Sequence, residues 1–377
     1  MEKIKIVFLT YKLVCGGAEK ALYDLITLMD KDKFDIRVFV QKPGAEWDQK
    51  FLDAGIHLVY DYSCRQPTFN PIKKLGNLRK KLTIQKALKN QGAGLLDICC
   101  PGADIVVNYF AWDYDELPFV QGAKTIKYIH GDAANSSVFR EVAQNKALLD
   151  RYDRIICVSK ETRDSFREVS GLGDKVQTCY NPLYSEQVRQ LAQEPVKLPE
   201  GAPLLCAVGR LAEQKAFERL ILIHKDLLMQ GIQHNLVIVG DGPDREFLKR
   251  LIRATGTEKT VTLAGYQSNP YPYMKNCRFL VSSSLHEGLP VIAMEGLSLG
   301  IPIVAPIPSV AEAFGDAFCG LITDNTMEAL EEGIRKMLTD EELYARAKAG
   351  AQQRSNFFDG KQMVRETEAM LLDVLGK

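Results

Sequence analysis

The sequence predicts an α/β protein made of two doubly wound parallel sheets. Short apolar runs alternate with helical patterns along almost the whole chain, and a proline-rich polar stretch divides the 377 residues near the middle. Repeated strand–helix–strand units form a parallel sheet with helices on both faces. A chain of this length exceeds one ordinary core, so we expect two domains.

The apolar runs fall into two series. Between them lies a polar, proline-containing connection that begins near Asn181 and Pro182, which predicts an N-terminal domain over residues 1–182 and a C-terminal domain over 183–355. The first series contains IKIVFL (4–9), FDIRVFV (34–40), DIVVNYF (104–110), TIKYIH (125–130) and RIICVS (154–159). The second contains PLLCAVG (203–209), NLVIVG (235–240), TVTLAG (260–265), RFLVSSS (278–284) and IPIVAP (301–306).

The composition excludes several classes of protein. Lys+Arg and Asp+Glu both number 48, so no global charge attracts nucleic acid, and we expect no nucleic-acid partner. No stretch approaches the roughly 20 apolar residues that span a bilayer, and the N-terminus lacks the features of a signal peptide. The nine cysteines are scattered without CxxC pairs, as in proteins with reduced thiols. We therefore expect a cytoplasmic protein.

Two cationic residues follow the first strand of the second series. Arg210 and Lys215 in GRLAEQK lie where a helix should begin. A guanidinium and an ammonium beside a helix N-terminus form a site suited to a diphosphate. The alternative is an exposed loop with two solvated cations. The next strand ends in GDGP (240–243), which has Arg245 in place of a third dinucleotide-binding glycine and is predicted to be mainly a tight turn.

Two glutamates flank a Gly-Leu-Pro turn in HEGLPVIAMEGLSLGIP. Glu287 falls in a loop and Glu295 in the following helix, while the amides of Gly288 and Leu289 precede that helix. Carboxylates repel phosphate, so these glutamates should accept hydrogen bonds from hydroxyls. Two sets of hydroxyls separated by a diphosphate describe a nucleotide sugar. A glycosidase acid–base pair is the alternative, but it leaves the two cations without a purpose.

The motifs together resemble the retaining, GT-B fold enzymes of glycosyltransferase family 4. They are GGAEK (16–20), GRLxxxK (209–215), IVGDGP (238–243) and EGLPxxxxE (287–295), in the expected order. The resemblance covers the C-terminal domain well and the N-terminal domain thinly. It implies two Rossmann-like domains facing a central cleft, the N-terminal one binding the acceptor and the C-terminal one the donor. It also implies a last helix, residues 356–377, that crosses back onto the N-terminal domain.

The resemblance assigns roles to individual residues. Arg210 and Lys215 would bind the donor diphosphate and stabilise the leaving group. Glu287 would hold the sugar hydroxyls and Glu295 the ribose hydroxyls. The other implied donor-binding residues are Gly17, Gly209, Gly265, Tyr266, Gln267, Gly288 and Leu289. Of these, Gly265, Tyr266 and Gln267 would lie near the nucleotide base. His130 matches a histidine near the donor sugar and acceptor. Ala216 stands where relatives have glycine, which we expect to be a mild change.

The implied activity is transfer of a hexose or N-acetylhexosamine with retention, by a front-face substitution. The donor would be a UDP-sugar, with a GDP-sugar as the alternative, and no tightly bound cofactor is expected. The acceptor would be a hydroxyl of a glycan or lipid-linked saccharide in bacterial cell-surface polysaccharide synthesis. The alternatives are a nucleotide-sugar epimerase, a phosphorylase of the same fold, and a non-catalytic partner subunit.

A basic segment in the N-terminal half suggests a membrane surface. Residues 65–96 contain eight Lys or Arg and no Asp or Glu, and leucines recur at helical spacing. A basic amphipathic helix over 70–91 would contact anionic lipid, which together with the resemblance predicts peripheral attachment to the inner face of the plasma membrane. A solvated helix face is the alternative.

Metal dependence gives a first prediction. DxD occurs at Asp113–Asp115 and at Asp30–Asp32, and a pattern that occurs twice in one chain carries little weight. Since Arg210 can neutralise a diphosphate together with Lys215, we predict transfer that persists in EDTA, measured as product formed per minute. Loss of transfer on chelation and its return with manganese would contradict this.

Overall fold

The computed structural model describes residues 2–14, 16–61, 82, 96, 99–111, 120–358 and 360–377. The chain forms two compact units. The N-terminal unit contains Met1–Val158, Thr162–Pro182 and Lys361–Lys377, and the C-terminal unit contains Ser159–Glu161 and Leu183–Gly360.

The N-terminal unit contains a seven-stranded sheet in which the pairing is parallel throughout. The strand order is β3-β2-β1-β4-β5-β6-β7. The strands are β1 (Ile4–Thr10), β2 (Phe34–Val40), β3 (His57–Tyr60), β4 (Ile105–Phe110), β5 (Lys124–Ile129), β6 (Arg154–Cys157) and β7 (Val176–Thr178).

The C-terminal unit contains a six-stranded parallel sheet in the order β10-β9-β8-β11-β12-β13. Its strands are β8 (Leu204–Val208), β9 (Asn235–Val239), β10 (Val261–Gly265), β11 (Phe279–Val281), β12 (Ile303–Ala305) and β13 (Gly320–Ile322). Counted within the unit, this is the order 3-2-1-4-5-6, and the first six strands of the N-terminal sheet repeat it. Such an order places a topological switch point between the first and fourth strands. The predicted fold class of two doubly wound α/β sheets is confirmed.

Helices connect most successive strands of the described chain. Those of the N-terminal half are α1 (Gly17–Leu28), α2 (Asp48–Asp53), α3 (Ser137–Gln144), α4 (Lys146–Leu149) and α5 (Lys160–Ser170). The later ones are α6 (Ser185–Leu191), α7 (Phe217–Met229), α8 (Arg245–Thr255), α9 (Tyr271–Lys275), α10 (Val291–Ser298), α11 (Val310–Phe314), α12 (Met327–Thr339), α13 (Glu341–Arg354) and α14 (Gly360–Val374). No helix in the described ranges has both the length and the hydrophobicity needed to span a bilayer.

The last helix, α14, packs within the N-terminal unit. The backbone amide of Asp30 donates to Glu368 Oε1 at 2.7 Å, and Arg154 Nη2 lies 2.7 Å from Asp373 Oδ2. Cys179 Sγ and Thr367 Oγ1 are 3.1 Å apart in the buried part of the contact. These three contacts join α14 to the α1–β2 turn, to β6 and to the segment after β7.

A buried chain of hydrogen bonds joins α7 to the neighbouring strands of the C-terminal unit. His234 Nδ1 lies 2.9 Å from the Ile232 carbonyl, so this nitrogen must donate. His234 Nε2 then accepts from His224 Nδ1 at 2.8 Å, so the His234 ring must be neutral. His224 Nε2 lies 2.8 Å from the Thr260 hydroxyl, which is also 3.3 Å from the Thr257 carbonyl. The two histidines therefore belong to the buried hydrogen-bonded structure of this unit.

These buried histidine hydrogen bonds predict that the C-terminal unit loses stability in acid. Burial and the neighbouring His234 lower the pKa of His224 to about 3, and burial lowers the pKa of His234. The unfolded chain therefore binds protons first as the pH falls below about 6.5, which removes up to about 1.4 kcal/mol of unfolding free energy per pH unit for each histidine. Urea titrations at pH 7.5 and 5.5 measure the loss.

The matched variants are His224→Gln and His57→Gln, because His57 is exposed. We expect His224→Gln to be less stable at pH 7.5 but to lose less free energy between the two pH values than the wild type. His57→Gln should keep the wild-type difference. Equal pH dependence in wild type and His224→Gln would contradict the assignment.

Candidate functional site

The predicted site residues of the C-terminal unit follow the two strands at its switch point. β8 and β11 are adjacent and parallel, with Phe279 paired to Leu205 and Leu280 to Cys206. Their carboxyl ends therefore meet at the same edge of the sheet, although their loops are some 70 residues apart in sequence. Ligands of doubly wound sheets bind at this edge.

The loop after β8 begins with Gly209 and reaches Lys215 through a 3-10 turn over Glu213–Lys215. A Cβ on Gly209 would lie 3.2 Å from Lys215 Cε, so the lysine stem lies across the bare glycine backbone. Arg210 is exposed, and in the described part of the chain its guanidinium has no ion-pair partner. The loop thus presents two cations, one anchored and one extended into solvent.

The GDGP turn supports this loop from behind. Gly240 has φ +144°, and a Cβ there would lie 1.9 Å from the Gly209 carbonyl oxygen. A Cβ on Gly242 would lie 2.3 Å from the Leu211 oxygen, and the Leu211 amide donates to the Asp241 carbonyl at 3.0 Å. Both glycines are needed because the two loops touch through their backbones. The prediction of a mainly structural turn agrees with these contacts.

The loop after β11 brings Glu287 to Lys215. Lys215 Nζ donates directly to Glu287 Oε1, and both side chains are largely buried, at 21% and 14% exposure. Three further hydrogen bonds join the two loops. The Leu285 amide donates to the Gln214 carbonyl at 2.8 Å, and the Gln214 side-chain amide donates to the His286 carbonyl at 2.8 Å. The Ser283 hydroxyl donates to the Lys215 carbonyl at 2.7 Å. The cation and the carboxylate are held as one unit.

A second layer behind Glu287 was not predicted from the sequence. Arg219, a buried residue of α7, donates to the Asn325 side-chain oxygen at 2.6 Å and to the Ser283 carbonyl at 3.3 Å. Asn325 in turn donates to the Leu285 carbonyl at 2.8 Å. No motif marks these two residues, because each acts on the backbone of a loop that is distant in sequence.

Two backbone amides lie between the glutamates. Gly288 and Leu289 are buried, and among the residues that the structure describes neither amide donates to a protein acceptor. Only the N-cap residue Pro290 separates them from α10, and the first amides of a helix have no intrahelical acceptor. The partial positive charge of this helix end favours an anionic or hydroxyl-bearing group there.

Glu295 lies in the middle of α10 and is almost fully buried, at 7% exposure. The hydroxyl of Tyr271 donates to its Oε1 at 2.8 Å. A buried carboxylate requires such donors, because an uncompensated charge is costly to desolvate. Sequence reasoning found Glu295 but missed Tyr271, which comes from the short helix α9.

The residues predicted to contact the nucleotide base lie at the end of β10 and just after it. Gly265 has φ +75°, and its carbonyl accepts from the Gly240 amide at 2.9 Å, which joins this turn to the GDGP turn. Tyr266 is 45% exposed, and the Gln267 side chain donates to the Ala264 carbonyl at 2.9 Å. The guanidinium of Arg245 lies 3.4 Å from the position of a Cβ on Gly265. An aromatic ring and a guanidinium thus flank this turn.

Two predicted residues belong to the N-terminal unit. Gly17 is the exposed first residue of α1. His130 follows β5, and its Nε2 lies 2.9 Å from the Tyr109 carbonyl, so Nε2 carries the proton and Nδ1 the lone pair of the neutral ring. Burial lowers the pKa of His130 to about 4, although the hydrogen bond to Tyr109 opposes the shift. His130 is therefore uncharged at neutral pH.

The metal and membrane predictions depend largely on residues outside the described ranges. Asp113–Asp115 and residues 70–91, apart from the exposed Leu82, are not among them. The described residues contain no group of three or more His, Cys, Asp or Glu that could hold a metal ion. Asp30 Oδ1 accepts from the Asp32 amide at 2.9 Å, so the second DxD forms a turn between α1 and β2.

Two sequence families match this chain in adjoining segments. Residues 15–187 match the family described as Glycosyltransferase Family 4, and residues 188–354 match Glycosyl transferases group 1. Together the two matches extend from the first glycine loop to the end of α13. The chain belongs to glycosyltransferase family 4. It is a transferase enzyme with the GT-B fold, and the predicted family is confirmed.

The similar proteins include a diphospho-undecaprenol-saccharide N-acetylgalactosaminyltransferase and a lipopolysaccharide core glycosyltransferase. This glycosyltransferase is 26% identical to the N-acetylgalactosamine-N,N'-diacetylbacillosaminyl-diphospho-undecaprenol 4-alpha-N-acetylgalactosaminyltransferase of Campylobacter jejuni, over 99% of this chain and 100% of the relative. It is 28% identical to the lipopolysaccharide core biosynthesis glycosyltransferase LpsE of Rhizobium meliloti, over 88% of each chain. The structure of Anabaena Alr3699/HepE in complex with UDP and glucose is similar in fold, with a TM-score of 0.73, 19% identity and coverage of 98% of this chain and 100% of that one.

In this family 4 glycosyltransferase, the alanine at position 216, where relatives have glycine, has a larger structural consequence than the sequence suggested. Ala216 has φ 47° and ψ 45°, and it is the single non-glycine residue with positive φ in the described ranges. It lies between the Lys215 turn and α7 and is buried. The left-handed conformation costs an alanine roughly 1–2 kcal/mol, because its Cβ approaches the following carbonyl oxygen. The replacement of glycine is therefore a source of strain rather than a mild change.

We predict that Ala216→Gly stabilises the protein or leaves its stability unchanged. The relief of strain, about 1–2 kcal/mol, exceeds or balances the roughly 0.4–1 kcal/mol that glycine adds to the entropy of the unfolded chain. Urea denaturation gives the difference in unfolding free energy. Ala345→Gly, at an exposed position within α13, is the control and should lose about 1 kcal/mol. Equal destabilisation of both variants would contradict the strain.

Proposed function

We propose that this glycosyltransferase moves a hexose or N-acetylhexosamine, with retention of configuration, from a UDP-sugar to a hydroxyl of a lipid-linked or other glycan acceptor. A GDP-sugar is the alternative donor. The observation that carries the proposal is the contact of Lys215 with Glu287 beside the amides of Gly288 and Leu289, which have no protein acceptor within the described ranges. It places a cation, a hydroxyl acceptor and two amide donors at the ligand-binding edge of one sheet.

The four principal side chains bind different parts of the donor. Arg210 and Lys215 neutralise the diphosphate, and their charge counts most when the sugar–phosphate bond breaks and negative charge develops on the leaving group. Glu287 accepts hydrogen bonds from the sugar hydroxyls and Glu295 from the ribose. The base rests against Gly265, Tyr266 and Gln267, the residues that end β10. Gly209 leaves room for the diphosphate.

The Lys215–Glu287 ion pair adds a physical reason for donor discrimination. Glu287 holds Lys215 across Gly209. A bound diphosphate attracts the ammonium more strongly than one carboxylate does, which frees Glu287 to accept from sugar hydroxyls. A free sugar without a diphosphate leaves the pair closed.

Retention without a covalent intermediate fits the groups available. In a front-face substitution the departing phosphate oxygen accepts the proton of the attacking acceptor hydroxyl, while the bond from the sugar to that phosphate breaks. His130 is neutral, so it can accept a hydroxyl hydrogen bond at Nδ1 but cannot add positive charge at pH 7. Its role is to orient a hydroxyl of the donor sugar or of the acceptor.

The names of two relatives support a proposal for the acceptor and the location. The Campylobacter jejuni relative is named for transfer to a diphospho-undecaprenol-linked saccharide, and the Rhizobium meliloti relative for lipopolysaccharide core biosynthesis. We therefore propose a polyprenyl-diphosphate-linked saccharide as the acceptor class, in bacterial cell-surface polysaccharide synthesis. The enzyme would act at the inner face of the plasma membrane, with residues 70–91 contacting anionic lipid.

Lys215→Ala and Glu287→Ala should each reduce transfer by on the order of 100-fold or more, because each removes a group that binds the reacting part of the donor. Their effects should not add in the double variant, since loss of either partner disrupts the same ion pair. Transfer from UDP- and GDP-sugars to a polyprenyl-diphosphate-linked saccharide is measured as labelled product.

Lys249→Ala is the matched control, because Lys249 forms an ion pair with Glu246 on the exposed face of α8. It should retain wild-type transfer. Wild-type turnover in Lys215→Ala or Glu287→Ala would refute the assigned roles. Conversion of the donor without an acceptor would favour an epimerase, and activity with inorganic phosphate a phosphorylase.

A further inference from the structure

Tyr271 makes a contact in the candidate site that sequence motifs and family roles do not explain. Its ring is 4% exposed, and its hydroxyl donates to Glu295 Oε1 at 2.8 Å. Tyr271 comes from α9, ahead of β11, whereas Glu295 lies in α10, 24 residues later. A buried phenol that reaches a buried carboxylate on another helix fixes the orientation of that carboxylate.

The position of Tyr271 is itself fixed by hydrogen bonds to the backbone. Asn269 Oδ1 accepts from the Tyr271 amide at 3.2 Å. The Asn269 side-chain nitrogen donates to the Leu191 carbonyl at 2.9 Å and to Glu194 Oε2 at 2.8 Å. These bonds join the start of α9 to the end of α6. The phenol therefore projects from a short helix that is anchored at its first turn.

The chemistry of the pair indicates what the anchoring achieves. An ionised carboxylate only accepts hydrogen bonds, and its two oxygens offer about four acceptor positions. An oxygen that accepts from a phenol keeps the capacity to accept from a further hydroxyl. A phenol donor thus holds the carboxylate in one rotamer without consuming its ability to bind a ribose diol.

We infer that Tyr271 is a positioning residue that sets Glu295 for the ribose hydroxyls and thereby makes the enzyme select ribonucleotide over deoxyribonucleotide donors. The inference rests on the proposed function, in which Glu295 binds the ribose. It assigns the selectivity to a pair of residues rather than to the glutamate alone. Tyr271 touches no donor atom in this arrangement and acts through Glu295.

The test compares UDP with 2′-deoxy-UDP as ligands of the full-length enzyme, and GDP with 2′-deoxy-GDP if the donor is a GDP-sugar. Dissociation constants come from isothermal titration calorimetry. The wild type should prefer the ribonucleotide by on the order of ten-fold or more, because loss of a hydrogen bond to a charged group leaves the carboxylate poorly compensated. Tyr271→Phe should bring this ratio close to one, as should Glu295→Ala.

The ratio of two dissociation constants does not depend on how much of a preparation is folded. This keeps the test valid even if Tyr271→Phe lowers stability. Tyr273→Phe is the matched control, because Tyr273 is a half-buried residue of the same helix and the chemical change is identical. It should keep the wild-type ratio.

Three results would overturn the inference, and they differ from one another. A wild type that binds UDP and 2′-deoxy-UDP equally well excludes the ribose contact. A wild-type ratio in Tyr271→Phe, with a ratio near one in Glu295→Ala, shows that Glu295 needs no positioning by the phenol. A wild type that binds neither UDP nor GDP overturns the inference together with the proposed function.

Discussion

The parallel pairing of β8 with β11 is the constraint on which the candidate site depends. It brings together two loops that are distant in sequence. Both loops lie at the edge of the sheet where the strand order reverses. The direct contact of Lys215 with Glu287 follows from that geometry. The amides of Gly288 and Leu289, which find no acceptor in the part of the chain that the structure describes, complete the edge just before α10. Local sequence supplies the charged groups, and the topology of the sheet brings them together.

Buried polar groups behind this edge hold the loops and side chains of the site in position. Arg219 and Asn325 hold carbonyl groups of the Glu287 loop, and Tyr271 holds the Glu295 carboxylate. In a low-dielectric surrounding each of these bonds is worth more than it is in water, and each unpaired group would cost more. The loops that carry the predicted ligand-binding side chains are thus fixed from the inside. A donor would meet carboxylates that already have one orientation.

The sequence predicted ten of the strands because each contains an apolar run, and in most of them that run is largely buried. The three strands it missed are β3, β7 and β13, and all of them lie at sheet edges. They have three or four residues each and include half-exposed positions, so no apolar run marks them. The charged site residues could be predicted because their motifs are local. Arg219, Asn325 and Tyr271 could not, since they act on segments that only the folded chain brings near.

Ala216 shows why one local rule can mislead. From the sequence, alanine in place of glycine changes a residue by one methyl group. In the structure the same residue turns the chain from the Lys215 turn into α7 with positive φ. Contacts on both sides hold the backbone there: the Ser283 hydroxyl donates to the Lys215 carbonyl just before it, and Phe217 packs into the core just after it. Strain persists where surrounding structure determines the backbone. Its location beside the Lys215–Glu287 pair indicates that the position of the lysine is held at the expense of local backbone energy.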